Sequence, residues 1–393
     1  MIEDDVIERL VGAAEDGLEA AKRDAMAELL RCSPARVAAR LLPRLTDDDP
    51  KVVRVVAAAA AAVLRHAPSR SLWAVDRELR GSSPWLFHGV PPPRVAELAS
   101  GPDGIGAIGL LSMQRNGYTR EQAVCWLAPL EDPLALRLLL SRLNDPVPNV
   151  AEAAMGAVQS WIDVRRTTAI VLALPLLDAM RHTVRAARSG IAERAETTLR
   201  MAGPTGRRAL RDAVRTATDE DVRGAAIARL CQGPPSDAIE AVQLGLADGS
   251  PRVRLATARW VIRCPLTVQQ AVVSMLAANP SPTIRLLSLR IRRGDPSDEA
   301  HRAVLGRCFD GNAVVRYHAR CQLRERGDTV DFRALALARL DEPSEPDVLV
   351  GALAVLSDLG RREDLPRVEP LVEHPRRRVA REAARTRAIL SMG

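Results

Sequence analysis

Lysine is almost absent from this 393-residue chain: only Lys22 and Lys51 are lysines, and the rest of its 56 basic residues are arginines. Aromatic residues are also scarce, at 3% against 47% apolar residues overall. A core of that composition is made of alanine, leucine and valine, which suits packed helices. Long apolar runs are missing as well. The longest charge-free apolar stretch, Val55–Leu64, has ten residues, against the roughly 20 needed to cross a bilayer, so no membrane span is expected. The opening MIEDDVIERL carries four acids and one base, which is not the basic lead of an export signal, and the expected location is cytoplasmic. The six cysteines, Cys32, Cys125, Cys231, Cys264, Cys308 and Cys321, form no CxxC pair and no crowded disulfide framework. They read as reduced packing residues.

What the chain does contain is a repeat. A valine or isoleucine, usually followed by arginine and led by an Asp/Pro/Gly turn, recurs nine times, at Val53, Val150, Val184, Val222, Val253, Ile284, Val315, Val348 and Val379. The last five intervals are 31, 31, 31, 33 and 31 residues. A constant period of this length marks a solenoid, whose units cannot bury their apolar faces alone and must stack. One domain spanning 1–393 is therefore expected in place of two or three globular ones.

Each unit resolves into two helices, most plainly from Ser236 to Cys264. The first is expected over about Asp237–Leu246. Asp248-Gly249-Ser250-Pro251 ends it, and Pro251 opens the second, whose apolar stripe is read as Val253, Ala256, Trp260 and Val261. The gap from Val53 to Val150 leaves room for two degenerate units, and a hairpin over about Ile2–Cys32 brings the total to 11 or 12.

The segments DGSPRVRLATARWVI from Asp248, DGNAVVRYHARCQL from Asp310 and DDPKVVRVVAAAAAAVL from Asp48 are similar to the turn and second helix of HEAT-like repeats, especially the short type named after the phycobilin lyases. The resemblance covers nearly the whole chain but rests on architectural motifs. It implies an all-α fold, an α-solenoid forming a right-handed superhelix of antiparallel helix pairs with the second helices on the concave side.

The turn residue and the arginine keep a six-residue offset in Asp48/Arg54, Asp248/Arg254, Asn279/Arg285 and Asp310/Arg316. A fixed offset implies a fixed partner. The expectation is a ladder in which each turn aspartate accepts hydrogen bonds from the arginine of its own or the adjoining repeat, setting register more than stability. A second charge feature is less regular. From Gly249 to Gly294 there is no aspartate or glutamate, while Arg252, Arg254, Arg259, Arg263, Arg285, Arg290, Arg292 and Arg293 are all positive. Two belong to the ladder and six have no partner nearby in sequence. Arg259 and Arg290 occupy equivalent positions on consecutive second helices, expected about 10 Å apart. Such a patch suits a phosphate backbone, anionic headgroups or an acidic protein. The arginine bias is equally what a GC-rich bacterial genome imposes, with the arginines solvated or paired.

Catalytic constellations are missing. The six histidines form no HxxxH or HxxH pair, and none precedes glutamate, so the His-Glu di-iron site of deoxyhypusine hydroxylases, which share the repeat, is not expected. No GxxxxGK[ST] or GxSxG occurs, and Gly104, Gly106 and Gly109 follow no strand, which marks them as a loop and helix-packing feature. Alkylpurine glycosylases and phycobilin lyases on related scaffolds remain distant alternatives, since the tryptophans are dispersed and no matching aspartate motif is present. No cofactor or metal is expected.

The segment Gly81–Tyr118 interrupts the array with seven glycines, five prolines and Trp85, Phe87 and His88; it is either a docking loop or a degenerate repeat. The arginine-rich tail from Arg376 to Arg387 suits the polar outer face of a terminal repeat. The expected function is a non-enzymatic scaffold that binds another protein through its concave face, with nucleic-acid binding as the competing class. Candidate contacts are Arg252, Arg259, Trp260, Arg263, Arg290 and Arg293, with Trp85 and Phe87 added if the irregular segment docks.

Overall fold

A computed structural model of the chain describes residues 2–82, 104–183, 189–341 and 346–392. Among these residues all regular structure is helical. The chain divides into two compact units, 1–253 and 254–393, each of which is a series of helical hairpins.

The first unit contains α1 (Ile2–Glu15), α2 (Glu19–Leu29), α3 (Pro34–Arg44), α4 (Pro50–His66), α5 (Leu72–Ser82), α6 (Gly104–Leu111) and α7 (Gly117–Leu127). It continues through α8 (Pro133–Arg142), α9 (Pro148–Trp161), α10 (Thr167–Met180), α11 (Ile191–Met201), α12 (Gly203–Thr216), α13 (Glu220–Leu230) and α14 (Pro235–Leu246). The boundary falls inside α15 (Pro251–Val261). The second unit holds α16 (Leu266–Ala278), α17 (Pro282–Arg292), α18 (Asp298–Arg307), α19 (Ala313–Glu325), α20 (Phe332–Asp341), α21 (Pro346–Leu359), α22 (Leu365–Val368) and α23 (Arg377–Met392).

Turn chemistry sets where these helices begin. Asp49, Asp132 and Asp219 each accept a hydrogen bond from the backbone N–H two residues on, and so satisfy one of the unpaired donors that open α4, α8 and α13. Proline stands at the start of α4, α8, α9 and α17, where its missing N–H costs nothing. Behind each turn the repeat valine enters the core. Val53, Val150, Val222, Val253, Ile284, Val315 and Val379 are at most 2% exposed. Burying each of them stabilises the fold by about 1.5–3 kcal/mol before entropy is counted.

The structure corrects several readings. Val348 is 37% exposed, and its neighbour Leu349 (7%) enters the core of the second unit, so the buried position of this copy lies one residue later than the sequence reading placed it. In α15 the buried positions are Val253, Thr257, Ala258 and Val261. Ala256 is exposed and Trp260 half-buried, so the stripe is rotated relative to the sequence reading. The expected copy at Val184 lies outside the described residues, as do Trp85, Phe87 and His88. All six cysteines are free.

Gly104, Gly106 and Gly109, read as a loop and helix-packing feature, serve helix packing alone: Gly104–Leu111 is a helix in which all eight residues are buried. The reason is the alanine run of α4. A Cβ on Gly106 would lie 2.1 Å from the Ala57 carbonyl and 2.3 Å from the Ala61 amide, and one on Gly109 would meet Leu64 at 2.7 Å. Only glycine against alanine lets two helix backbones approach so closely.

Gly106→Ala should therefore destabilise the fold by ~1–3 kcal/mol or more through overpacking. Gly156→Ala, on the open face of α9 with no atom near the added methyl, should stabilise it by roughly 0.5–1 kcal/mol. Urea denaturation of both variants checks the pair; equal effects would mean that the α4–α6 approach is not tight.

Candidate functional site

The repeated arginine and aspartate come together in a way the six-residue offset only half describes. Arg285 donates through Nε and Nη2 to both oxygens of Asp310 at 2.7 Å, and through Nη1 to the carbonyls of Asn279 (3.0 Å) and Pro280 (2.8 Å). Arg223 grips Asp248 (2.6 and 2.9 Å) and the Ala217 and Thr218 carbonyls (2.8 and 3.1 Å) in the same way. Arg120 does so with Asp145 (2.9 and 2.8 Å) and the Gln114 and Arg115 carbonyls (3.0 and 2.7 Å). At the six-residue offset the partner is thus a main-chain carbonyl of the arginine's own turn. The carboxylate belongs to the next turn, 25 residues onward. Each aspartate also accepts the N–H two residues ahead, from Val147 (3.0 Å), Ser250 (2.7 Å) or Asn312 (2.9 Å).

The Arg120 rung was not recognised in the sequence, because Thr119 stands where valine is usual. Its signal was present all the same, since Thr119 precedes Val150 by 31 residues. Other rungs depart from the pattern. Arg316 donates to the Asp310 carbonyl (2.8 Å), but its fork grips Asp358 (2.9 and 2.9 Å), which also accepts from Arg320 (2.8 Å). Asp48 and Arg54 are exposed and make no hydrogen bond or ion pair among the described residues. The residue at the proper interval after Arg54 is Leu79, an apolar side chain in the place of a carboxylate. Arg254 is half-buried and partnered.

The acid-free stretch also finds partners from outside itself. Arg252 pairs with Glu220 (2.8 Å) and Arg293 with Glu325 (2.9 Å), acids that lie outside the stretch. Stacked second helices bring acids that are distant in sequence within reach. Both arginines are well exposed, and pairs of this kind contribute only about 0–1 kcal/mol. The Arg263 guanidinium lies over the Trp260 ring, 5.1 Å from its centroid. Arg259 and Arg290 are exposed, and their side chains make no hydrogen bond or ion pair among the described residues.

In the second unit, Arg290 and Arg293 line an open groove of about 320 Å³ whose walls are α17 and α19. Leu286, Leu287 and Leu289 form its apolar floor, and His318 and Glu325 its far side. Arg259, Trp260 and Arg263 do not line this groove, and Arg252 belongs to the first unit. Among the described residues no group of three or more His, Cys, Asp or Glu is placed to hold a metal. No single described helix is long and apolar enough to cross a membrane; α4 and the segment after it pass on length and composition only as a pair bent by 119°.

No protein-family model matches the chain. No curated protein matches it either. Among solved structures, an engineered protein, Northeast Structural Genomics Consortium target OR497, is 17% identical over 99% of each chain, with a TM-score of 0.30. Kap121p bound to RanGTP is 12% identical over 99% of this chain and 49% of its own, with a TM-score of 0.35. The karyopherin Kap121p bound to the extreme C-terminus of the protein phosphatase Cdc14p is 13% identical over 98% of this chain and 48% of its own, at 0.31. The chain thus spans about half the length of Kap121p. At these TM-scores the likenesses carry no argument about function.

Burial works to raise the Asp310 carboxyl, but the Arg285 fork, the Asn312 N–H and Arg307 together hold it below its ordinary 3.8. Asp358 is lowered in the same sense, its burial outweighed by Arg316 and Arg320. A lowered folded-state value means that the contribution to stability is complete above the unfolded value and is lost as pH falls through the folded one. Asp310→Asn should therefore melt well below wild type at pH 7, with a loss on the order of 3 kcal/mol. The gap should narrow as pH falls below about 4. Calorimetric melts across pH 2–7 check this, and a gap independent of pH would remove the carboxylate's charge from the explanation.

Proposed function

We propose that the chain is a non-enzymatic binding scaffold, a solenoid whose second helices hold an acidic segment of another protein. The observation that carries this reading is the α17–α19 groove, where a leucine floor lies beside Arg290, a cation with no partner among the described residues. An apolar anchor with a flanking carboxylate would bury its side chain against Leu286 and Leu289 and pair with Arg290. A stiff helix pair presents those groups at fixed separations, which lowers the ordering cost of association. Arg259 and the stacked Trp260 and Arg263 extend the same chemistry along the chain, and Trp85 and Phe87 belong to the proposal as contacts from the irregular segment.

Nucleic-acid binding is the second reading, favoured by one observation: Arg259 and Arg290, at equivalent positions of consecutive second helices, are both exposed and unpaired. The two readings differ in salt dependence, because each phosphate contact releases counterions and steepens the loss of affinity with salt. Fluorescence anisotropy with labelled single- and double-stranded DNA and RNA, and with an acidic amphipathic peptide, at low and physiological salt separates them. The scaffold reading expects the peptide to stay bound at physiological salt, with loss on Leu286→Asp or Arg290→Ala, while the nucleic acids dissociate. Nucleic acid held at physiological salt and released by Arg259→Ala/Arg290→Ala would overturn it.

A further inference from the structure

The α17–α19 groove contains a polar side chain with nothing to pair with. Gln322 lines it from α19 and is only 6% exposed, yet its side-chain amide makes no hydrogen bond among the described residues, and its Nε2 is buried without an acceptor. An amide brings two donors and an acceptor, and leaving it unpaired away from water costs free energy. The last torsion of glutamine is broad and roughly two-fold, so a half-turn exchanges Nε2 and Oε1, and the amide can turn either towards an occupant of the groove.

The spacing of the other groups says which occupant reaches it. Leu286 and Arg290 lie one turn apart on the same side of α17, four residues and so about 6 Å along its axis. The 31-residue interval of the repeat puts Gln322 level with Ile291, at the Arg290 end of the opposite wall. In an extended segment, residues i and i+2 are about 6–7 Å apart and point to the same side, while the residue between them points away. An apolar residue over Leu286 and an acid at Arg290 therefore fit two positions apart. An extended segment also leaves its own N–H and C=O groups without internal partners, and one of these can pair with Gln322. A helix with the same two groups four positions apart matches the 6 Å equally well, but its main chain is bonded internally and leaves Gln322 unanswered. The charge is answered by a single carboxylate, because Glu325 holds Arg293 (2.9 Å) and only the Arg290 side chain of the two lacks a partner among the described residues.

We infer, resting on the scaffold reading of this groove, that the partner segment is extended, carries an apolar residue and one acid two positions apart, and is held through its main chain by Gln322. Leu286 sets the apolar position and Arg290 the acidic one. Gln322 selects extended main chain over helix.

The test is fluorescence anisotropy of the full chain at physiological salt with labelled, capped peptides. Three share one composition in a threonine background, with leucine and glutamate adjacent, two apart or three apart; a fourth is helix-stabilised, with the pair four apart. The two-apart peptide should bind more tightly than either respaced one by ~10-fold or more. Gln322→Leu should weaken it by ~3–10-fold, the loss of about one hydrogen bond, and should leave the helical peptide unchanged. Leucine keeps the volume and removes a buried unpaired amide, so this variant should fold as wild type does. Preference for the helical peptide, equal binding at all three spacings, or a two-apart peptide indifferent to Gln322→Leu would overturn the inference, while loss of that binding on Leu286→Asp would still support the scaffold reading. Binding of none of the four would overturn both.

Discussion

The bidentate arginine is the constraint on which the repeat depends. One guanidinium satisfies two carbonyls that its own turn leaves without a helical partner, and at the same time neutralises a carboxylate that caps the following turn. Remove the guanidinium and both turns lose hydrogen bonds in a place water does not easily reach; Asp145, Asp248 and Asp310 are all nearly buried on the side-chain side. Because the fork is planar and its five donors are fixed, the rung also sets the angle and offset between consecutive hairpins, which lysine's rotatable ammonium would not. The near-absence of lysine is compatible with that demand, though a genomic bias produces the same composition.

Where the rung is altered, the local chemistry changes with it. Arg54 finds Leu79 at the position of a carboxylate, and the α4 region is held instead by alanine and glycine in close contact with α6. Nearby, Arg137 donates to the Arg65 (3.2 Å) and Ala67 (2.7 Å) carbonyls, sealing the end of α4 with a guanidinium that has no aspartate of its own. Burial drives the Arg137 pKa down, with Asp219 opposing. Asn279 is a further exception, an amide in the place of a carboxylate.

The architecture was largely legible because its signals are local. Pro251 after Asp248-Gly249-Ser250 announces a helix start whatever surrounds it, and seven of the eight repeat positions that fall among the described residues are deeply buried. The α6 helix was legible only in part, as glycines suited to helix packing, since glycine lowers helix propensity and only the alanine face of α4 makes its absence of side chains an advantage. The charged surface was legible in composition but not in pairing. Arg252 and Arg293 looked as free as Arg259 and Arg290, and Glu220 and Glu325 reach them from about thirty residues away along the chain.

By itself the sequence determined the helical hairpin, its period and its capped turns, because these follow from backbone geometry and hydrogen bonds within a few residues of each other. Only the tertiary structure decided which carboxylate each arginine grips, which cations stay unpaired, and that Gln322 lines the same groove as Arg290. Ion pairing and desolvation depend on distance in space, and stacking brings side chains some 25 to 32 residues apart in sequence within hydrogen-bond reach.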